Sequence, residues 1–142
     1  MYSRNDKNYW LFVESEFNRK QDEINGYKNL GISESKLKKL RFSKGDIIFT
    51  YISKIKKFSD IREILSNEIV KLPLSIKYDK NFELSIQTKL VKSLLFTDWI
   101  NGMEIFDQLE LMKDNSVGFI LLNCPVLLKE SDSKIILNAF NR

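Results

Sequence analysis

The chain has 142 residues, 43% of them hydrophobic and 30% charged, proportions that fit one folded globular domain rather than a disordered or membrane-spanning segment. It contains no histidine and a single cysteine, Cys124, which excludes Ser-His-Asp and Cys-His catalysis, His-ligated zinc and an internal disulfide. The net charge is +4, and its uneven distribution is taken up below.

In chain order, Tyr9 to Ser15 is aromatic and β-branched, the composition of a first strand. The Ser15 hydroxyl is placed to cap a short polar helix from Glu16 to Asn25, which ends near Gly26. Ser33 opens a second helix, Glu34 to Leu40, with Leu37 and Leu40 on one face and lysines on the other. Lys44-Gly45-Asp46 reads as a turn, Ile47 to Ile52 as a strong strand and Ile61 to Leu65 as the next. From Phe82 to Leu90 apolar and polar residues alternate, the mark of a strand with one wet face. Ile100 to Met112 reads as partly helical, Gly118 to Leu122 as a buried strand or core segment, and Ser131 to Phe140 as a closing helix. Central strands with small helices around them predict an α+β fold, a mixed sheet curled into a partial barrel. No linker, repeat or low-complexity tract interrupts residues 1–142, so a single domain is expected.

The apolar run from Gly118 to Leu128 carries Asn123, Cys124 and Pro125 and is far shorter than the ~20 apolar residues that cross a bilayer. Cys124 within it is expected to be a buried, inert thiol. Met1 to Asn8 lacks the apolar stretch of a secretion signal, so a cytoplasmic location is expected. The five glycines form neither a GxGxxG nor a P-loop pattern. No compact carboxylate pair lies on a strand, and Glu34-Ser35-Lys36 falls at a helix start where an acid serves the helix dipole. A non-enzymatic chain without metal or cofactor is therefore expected.

Between Lys36 and Lys57 the basic residues are Lys36, Lys38, Lys39, Arg41, Lys44, Lys54, Lys56 and Lys57, against one acid, Asp46. The rest of the chain is net acidic. A single-sign cluster of this kind is the footprint of a polyanion partner, whereas a merely solvated surface interleaves both signs. Leu37 and Leu40 make too small an apolar face for a membrane-surface helix.

The order of Tyr9-Trp10-Leu11-Phe12, a short helix, Leu30-Gly31-Ile32, a lysine-rich helix and Lys44-Gly45-Asp46 resembles the EVE domain family, a branch of the PUA-like superfamily related to the YTH readers of methylated adenine. Phe58 to Ile64, the strand from Phe82, Ile105 to Leu109 and Leu128 to Asp132 extend the resemblance over nearly the whole chain. It implies a PUA-like partial barrel with a pocket for one, often modified, nucleobase extruded from its stack. The partner implied is DNA or RNA carrying a modified base, with an associated nuclease or restriction component in some members.

In the family the residues after the opening strand line the pocket, commonly as Lys-Ser; here they are Val13, Glu14 and Ser15. Glu14 can accept hydrogen bonds from an exocyclic amine of adenine or cytosine. Where many members and the YTH relatives carry tryptophan before the glycine, this chain has Leu30 before Gly31, which weakens stacking on a base. Tyr27 or Tyr78 is expected to compensate. Phe82 and Trp10 are expected in the core, and Trp99 is either a core staple or a rim aromatic. The basic rim assigned to phosphate is Lys36, Lys38, Lys39, Arg41, Lys54, Lys56 and Lys57. The alternative is a protein-interaction or small-ligand module that kept the fold and lost the base pocket, since Val13 and Leu30 both make the site more apolar.

Overall fold

The computed structural model describes residues 7–37, 41–78 and 82–142. Strand β1 (Tyr9–Glu14) runs through the centre of the molecule, with Leu11 buried on one face and Trp10 and Phe12 on the other. Both faces are covered, so the strand is continuously apolar instead of alternating. It pairs in parallel with β3 (Ile47–Ile52) and antiparallel with the short β7 (Val126–Leu128). A parallel pair needs a crossover, supplied here by α1 (Glu16–Ile24), β2 (Asn29–Ile32) and α2 (Glu34–Leu37). Strand β4 (Lys57–Lys71) pairs antiparallel with β3 on one edge and with β5 (Leu84–Ser93) on the other. The seven-stranded mixed sheet has the order β2-β5-β4-β3-β1-β7, with β6 (Ile100–Asn101) against the start of β4, and it does not close.

The sheet is strongly curled. Trp10, Phe12, Leu30, Ile32, Ile48, Ile64 and Ile86, drawn from five successive strands of the order, form one apolar cluster inside the curl. Register shifts at Thr50/Tyr51, Ile61/Arg62 and Ile64/Ile69 are the irregularities that bend strands and raise local twist. The outer face carries a second, larger cluster covered by α3 (Gly102–Phe106), α4 (Val117–Leu122) and α5 (Glu130–Phe140). Its centre is aromatic: Tyr51 meets Phe58 and Phe106 edge-on at 5.2 and 5.1 Å, and Phe49 stacks with Phe140 at 6.3 Å. A Cβ at residue 102 would lie 2.4 Å from the Tyr51 ring, so only glycine lets α3 approach this closely.

Local signals act where the sequence places them. The Ser15 hydroxyl accepts from the Asn18 amide at 3.1 Å and starts α1, and Gly26, at φ +71°, follows its end. Gly45, at φ +94°, makes the turn before β3. Asp46 accepts from the Asn8 and Ser43 amides and from the Trp10 indole, each at 3.0 Å. The single acid of the basic segment is therefore a buried pin for that turn. Trp10 lies in the core, and Trp99 is a buried staple whose indole donates to the Leu94 carbonyl.

Four expectations are corrected. Gly118 to Leu122 is helical, as part of α4, because the Ser116 hydroxyl caps it at the Phe119 amide and leaves Phe119 and Leu122 exposed. A short apolar run does not separate helix from strand by periodicity alone. Ile61 to Leu65 is only the middle of the 15-residue β4. Ile100 to Met112 splits into β6, α3 and a 3₁₀ turn at Glu110–Met112. Phe82 precedes β5, which begins at Leu84, and is half-buried rather than in the core.

Candidate functional site

Across the curl, the C-terminal end of β1 faces β2, and a cavity of about 410 Å³ opens between them. Six of the seven residues assigned to a pocket from the sequence line it: Val13, Glu14, Ser15, Leu30, Gly31 and Tyr78. These come from β1, the α1 cap, β2 and the segment after β4, so the curl is what brings them together. Tyr27 is elsewhere. It follows the helix end at φ +59°, is buried, and accepts a hydrogen bond from Arg19 Nη2 at 2.9 Å. The Arg62 and Arg19 guanidiniums lie 5.1 and 5.8 Å from its ring centre, and this cation–π packing occupies the π-surface a base would need.

The walls combine apolar surface from Leu30, Ile32, Phe82 and Pro125 with polar groups from Glu14, Ser15, Asn18 and Ser53. The Tyr78 ring packs against Gly31, where an added Cβ would come within 2.2 Å of it. Its hydroxyl accepts from the Gly31 amide at 3.1 Å and donates to Asp22. Burial, with the Asp22 and Glu14 carboxyls beside it, pushes the phenol well above its ordinary range, which keeps it a donor. Phe82 meets Tyr78 edge-on at 5.6 Å, so the cavity has aromatic surface packed beside Gly31.

Of the basic residues assigned to phosphate, Lys36 and Lys54 reach the cavity. Lys36 is engaged, its ammonium donating to the carbonyls of Leu122, at 3.2 Å, and Cys124. Lys54 and Lys56 sit at φ +68° and +62° in the β3–β4 turn with exposed side chains. Lys57 begins β4, Arg41 is exposed in the loop before β3, and Lys38 and Lys39 lie outside the described residues. Cys124 also lines the cavity, but burial pushes its thiol up to about 12, so it is inert.

Beneath the cavity lies an ionic cluster that sequence reasoning missed. Arg62, wholly buried, donates to Glu14 Oε1 at 2.8 Å, Asp22 Oδ2 at 2.8 Å and Asp60 Oδ1 at 2.7 Å. Arg19 lies 3.5 Å from Asp60 and stacks over Trp99 at 4.8 Å. Burial alone would raise the Asp60 carboxyl, but Arg62 and the Ser59 hydroxyl outweigh it and hold it below its ordinary value. Burial would likewise lower the Arg62 guanidinium, and the three surrounding carboxyls instead raise it well above its usual value.

Glu14 behaves differently. It is 8% exposed, and its second oxygen, Oε2, has no hydrogen-bond partner among the described residues. Burial raises its carboxyl well above the usual range, with Arg62 opposing and Asp22 adding to the shift. The signal for this cluster was the Asp60-x-Arg62 spacing, which puts both charges on one face of a strand. Among the described residues no group of three or more potential ligands is arranged for a metal ion; the three carboxyls surround a guanidinium.

No protein-family model matches the sequence, and no curated protein matches it. Solved structures with the same fold do match. The YTH domain of Zygosaccharomyces rouxii MRB1, solved with N6-methyladenosine RNA, superposes with TM-score 0.70 at 13% identity over 99% of this chain and 90% of its own. The Pho92 YTH domain in complex with N6-methyladenosine gives 0.72 at 15% identity, over 100% and 88%. Rpa0253 from Rhodopseudomonas palustris gives 0.61 at 19% identity, over 94% and 93%. The chain thus has the mixed α+β fold of YTH domains.

Proposed function

We propose that this chain is a non-enzymatic nucleic-acid-binding module that takes one nucleobase, modified as N6-methyladenine or in a related way, into the cavity between β1 and β2. The observation that carries the reading is the cavity itself: apolar and aromatic walls with Glu14, Ser15 and Ser53 among the lining residues. That combination suits a flat ring with a polar edge. The same fold in MRB1 and Pho92 was solved with N6-methyladenosine RNA and with N6-methyladenosine, which supports the reading. Lys54, exposed at the cavity, and Lys56, exposed in the same turn, supply cations for the flanking phosphates, which provide affinity while the cavity provides selectivity. Leu30 gives an apolar wall, and Tyr78 and Phe82 supply the aromatic surface that position lacks.

The test is a fluorescence-anisotropy titration with single- and double-stranded DNA and RNA. Each probe is used unmodified or carrying N6-methyladenine or 5-methylcytosine, at two salt concentrations. The expected result is salt-sensitive binding that tightens for one modified base. A second reading, a small-ligand module on the same fold, is favoured by the engagement of Lys36 with backbone carbonyls. Under that reading Lys54→Glu with Lys56→Glu leaves ligand binding unchanged; under the first it weakens binding to every probe and flattens the salt dependence.

A further inference from the structure

The sheet does not close, and the two ends of its strand order are β2 and β7. Each neighbouring pair in that order is joined by a backbone ladder, so the gap between β2 and β7 lacks the tie that holds the rest. The cavity is lined from both sides of this gap: Leu30, Gly31 and Ile32 come from β2, and Cys124 and Pro125 from the segment that leads into β7.

Lys36 crosses it. The residue stands in α2, just past the end of β2, and its ammonium donates to the Leu122 carbonyl, at 3.2 Å, and to the Cys124 carbonyl. Among the described residues, these are the hydrogen bonds that join the β2–α2 segment to the α4–β7 segment. They fall where the backbone has acceptors to spare. At the end of α4 the Phe119, Ile120 and Leu121 carbonyls accept from the Asn123 and Cys124 amides, and the Leu122 and Cys124 carbonyls accept from Lys36. A helix leaves its last carbonyls unpaired and carries partial negative charge there, so a cation is a fitting donor. Leu37, the next residue, packs against the cluster inside the curl and anchors α2.

We infer that Lys36 is a positioning residue, a clasp that ties the two free edges of the open sheet and holds the Cys124–Pro125 wall of the cavity in place against β2. Charge-assisted hydrogen bonds are stronger and more directional than apolar packing, so losing the ammonium frees the α4–β7 segment while Leu37 still holds α2. The clasp has a second consequence, which rests on the nucleobase reading above: Lys36 is engaged by the protein's own carbonyls and leaves the phosphates to Lys54 and Lys56.

The experiment is amide hydrogen exchange, followed by NMR, on the full chain as wild type, Lys36→Met and Lys36→Arg. Methionine keeps the apolar stem without the donor, and arginine keeps donors. The Asn123 and Cys124 amides should exchange roughly ten-fold or more faster in Lys36→Met and return close to wild type in Lys36→Arg. The Gly45 and Ile64 amides, bonded to the Ile64 and Asp46 carbonyls, should not change. Unchanged exchange at Asn123 and Cys124, or equal acceleration at all four amides, overturns the clasp. The wild type alone gives a second check: the Lys36 ammonium should show a slowly exchanging proton signal where exposed Lys54 shows none, and its absence overturns the assignment. With the N6-methyladenine RNA probe, Lys54→Met should reduce the slope of log affinity against log salt by about one, while Lys36→Met leaves the slope unchanged. A reduced slope in Lys36→Met returns Lys36 to the phosphate rim and overturns the clasp. Failure of every strand to bind overturns the nucleobase reading instead, since hydrogen exchange in the free protein reads the clasp by itself.

Discussion

The two faces of the curled sheet are built on opposite principles. Outside, α5 and its neighbours cover an aromatic core in which Phe49, Phe58, Phe106 and Phe140 pack around Tyr51 with no charged side chain among them. Inside the curl, an apolar patch around Trp10 and Ile86 gives way to Arg62, Asp22, Asp60 and Glu14, and the cavity opens above them. Replacing such ions by apolar residues of similar size is often neutral or stabilising, so their presence is weak evidence for a stability role. What they do achieve is geometric. Arg62 fixes one oxygen of Glu14, Asp22 fixes the hydroxyl of Tyr78, and the two lining groups are held before any ligand arrives.

The contrast breaks most sharply at Arg62. Arg62→Ala leaves three carboxyls facing one another and should lose about 3–5 kcal/mol in denaturant unfolding; adding Glu14→Gln, Asp22→Asn and Asp60→Asn should recover part of that loss. Phe140→Ala should lose a similar ~3–5 kcal/mol by opening a void in the outer core, yet its ligand selectivity should match the wild type once folded. Gly31→Ala drives a methyl into the Tyr78 ring and should cost about 1–3 kcal/mol by overpacking, with a loss of base selectivity larger than its loss of stability implies. Ser15→Ala removes the α1 cap and should cost about 1 kcal/mol.

The pH dependence sharpens the same comparison with a smaller effect. Asp60 is held below its unfolded value, so its stabilisation is present above that value and is lost as pH falls through the folded one. Glu14 is raised, so the folded state binds its proton more tightly. Its contribution is complete below the unfolded value and is lost as pH rises towards the folded one. Glu14→Gln should therefore gain stability relative to wild type as pH increases above the ordinary carboxylate range, measured as the difference in unfolding midpoint.

The elements with strong local signals were legible in the sequence: β1 by its aromatic composition, α1 by Ser15 and the turn before β3 by Gly45. Six of the residues assigned to the pocket come together because they end β1, cap α1, lie on β2 or follow β4. Tyr27 was misplaced because an aromatic beside a helix end looks exposed until the two arginines that pack against it are known. Those arginines were invisible for the same reason: Arg62 and Glu14 are 48 residues apart and meet only through the pairing of β1, β3 and β4. Phe82 was read into the strand by alternation, but β5 begins two residues later and frees its ring for the cavity.

The central claim is that a base enters the space between β1 and β2. Methyl-labelled protein titrated with a short N6-methyladenine RNA tests it directly, because Val13, Leu30 and Ile32 line the cavity while Val91, Leu95 and Leu127 are exposed and do not line it. Chemical-shift changes concentrated on the first three methyl sets, and weaker in Gly31→Ala, are the predicted result. Changes confined to the second three, with the cavity methyls unmoved, would contradict the account.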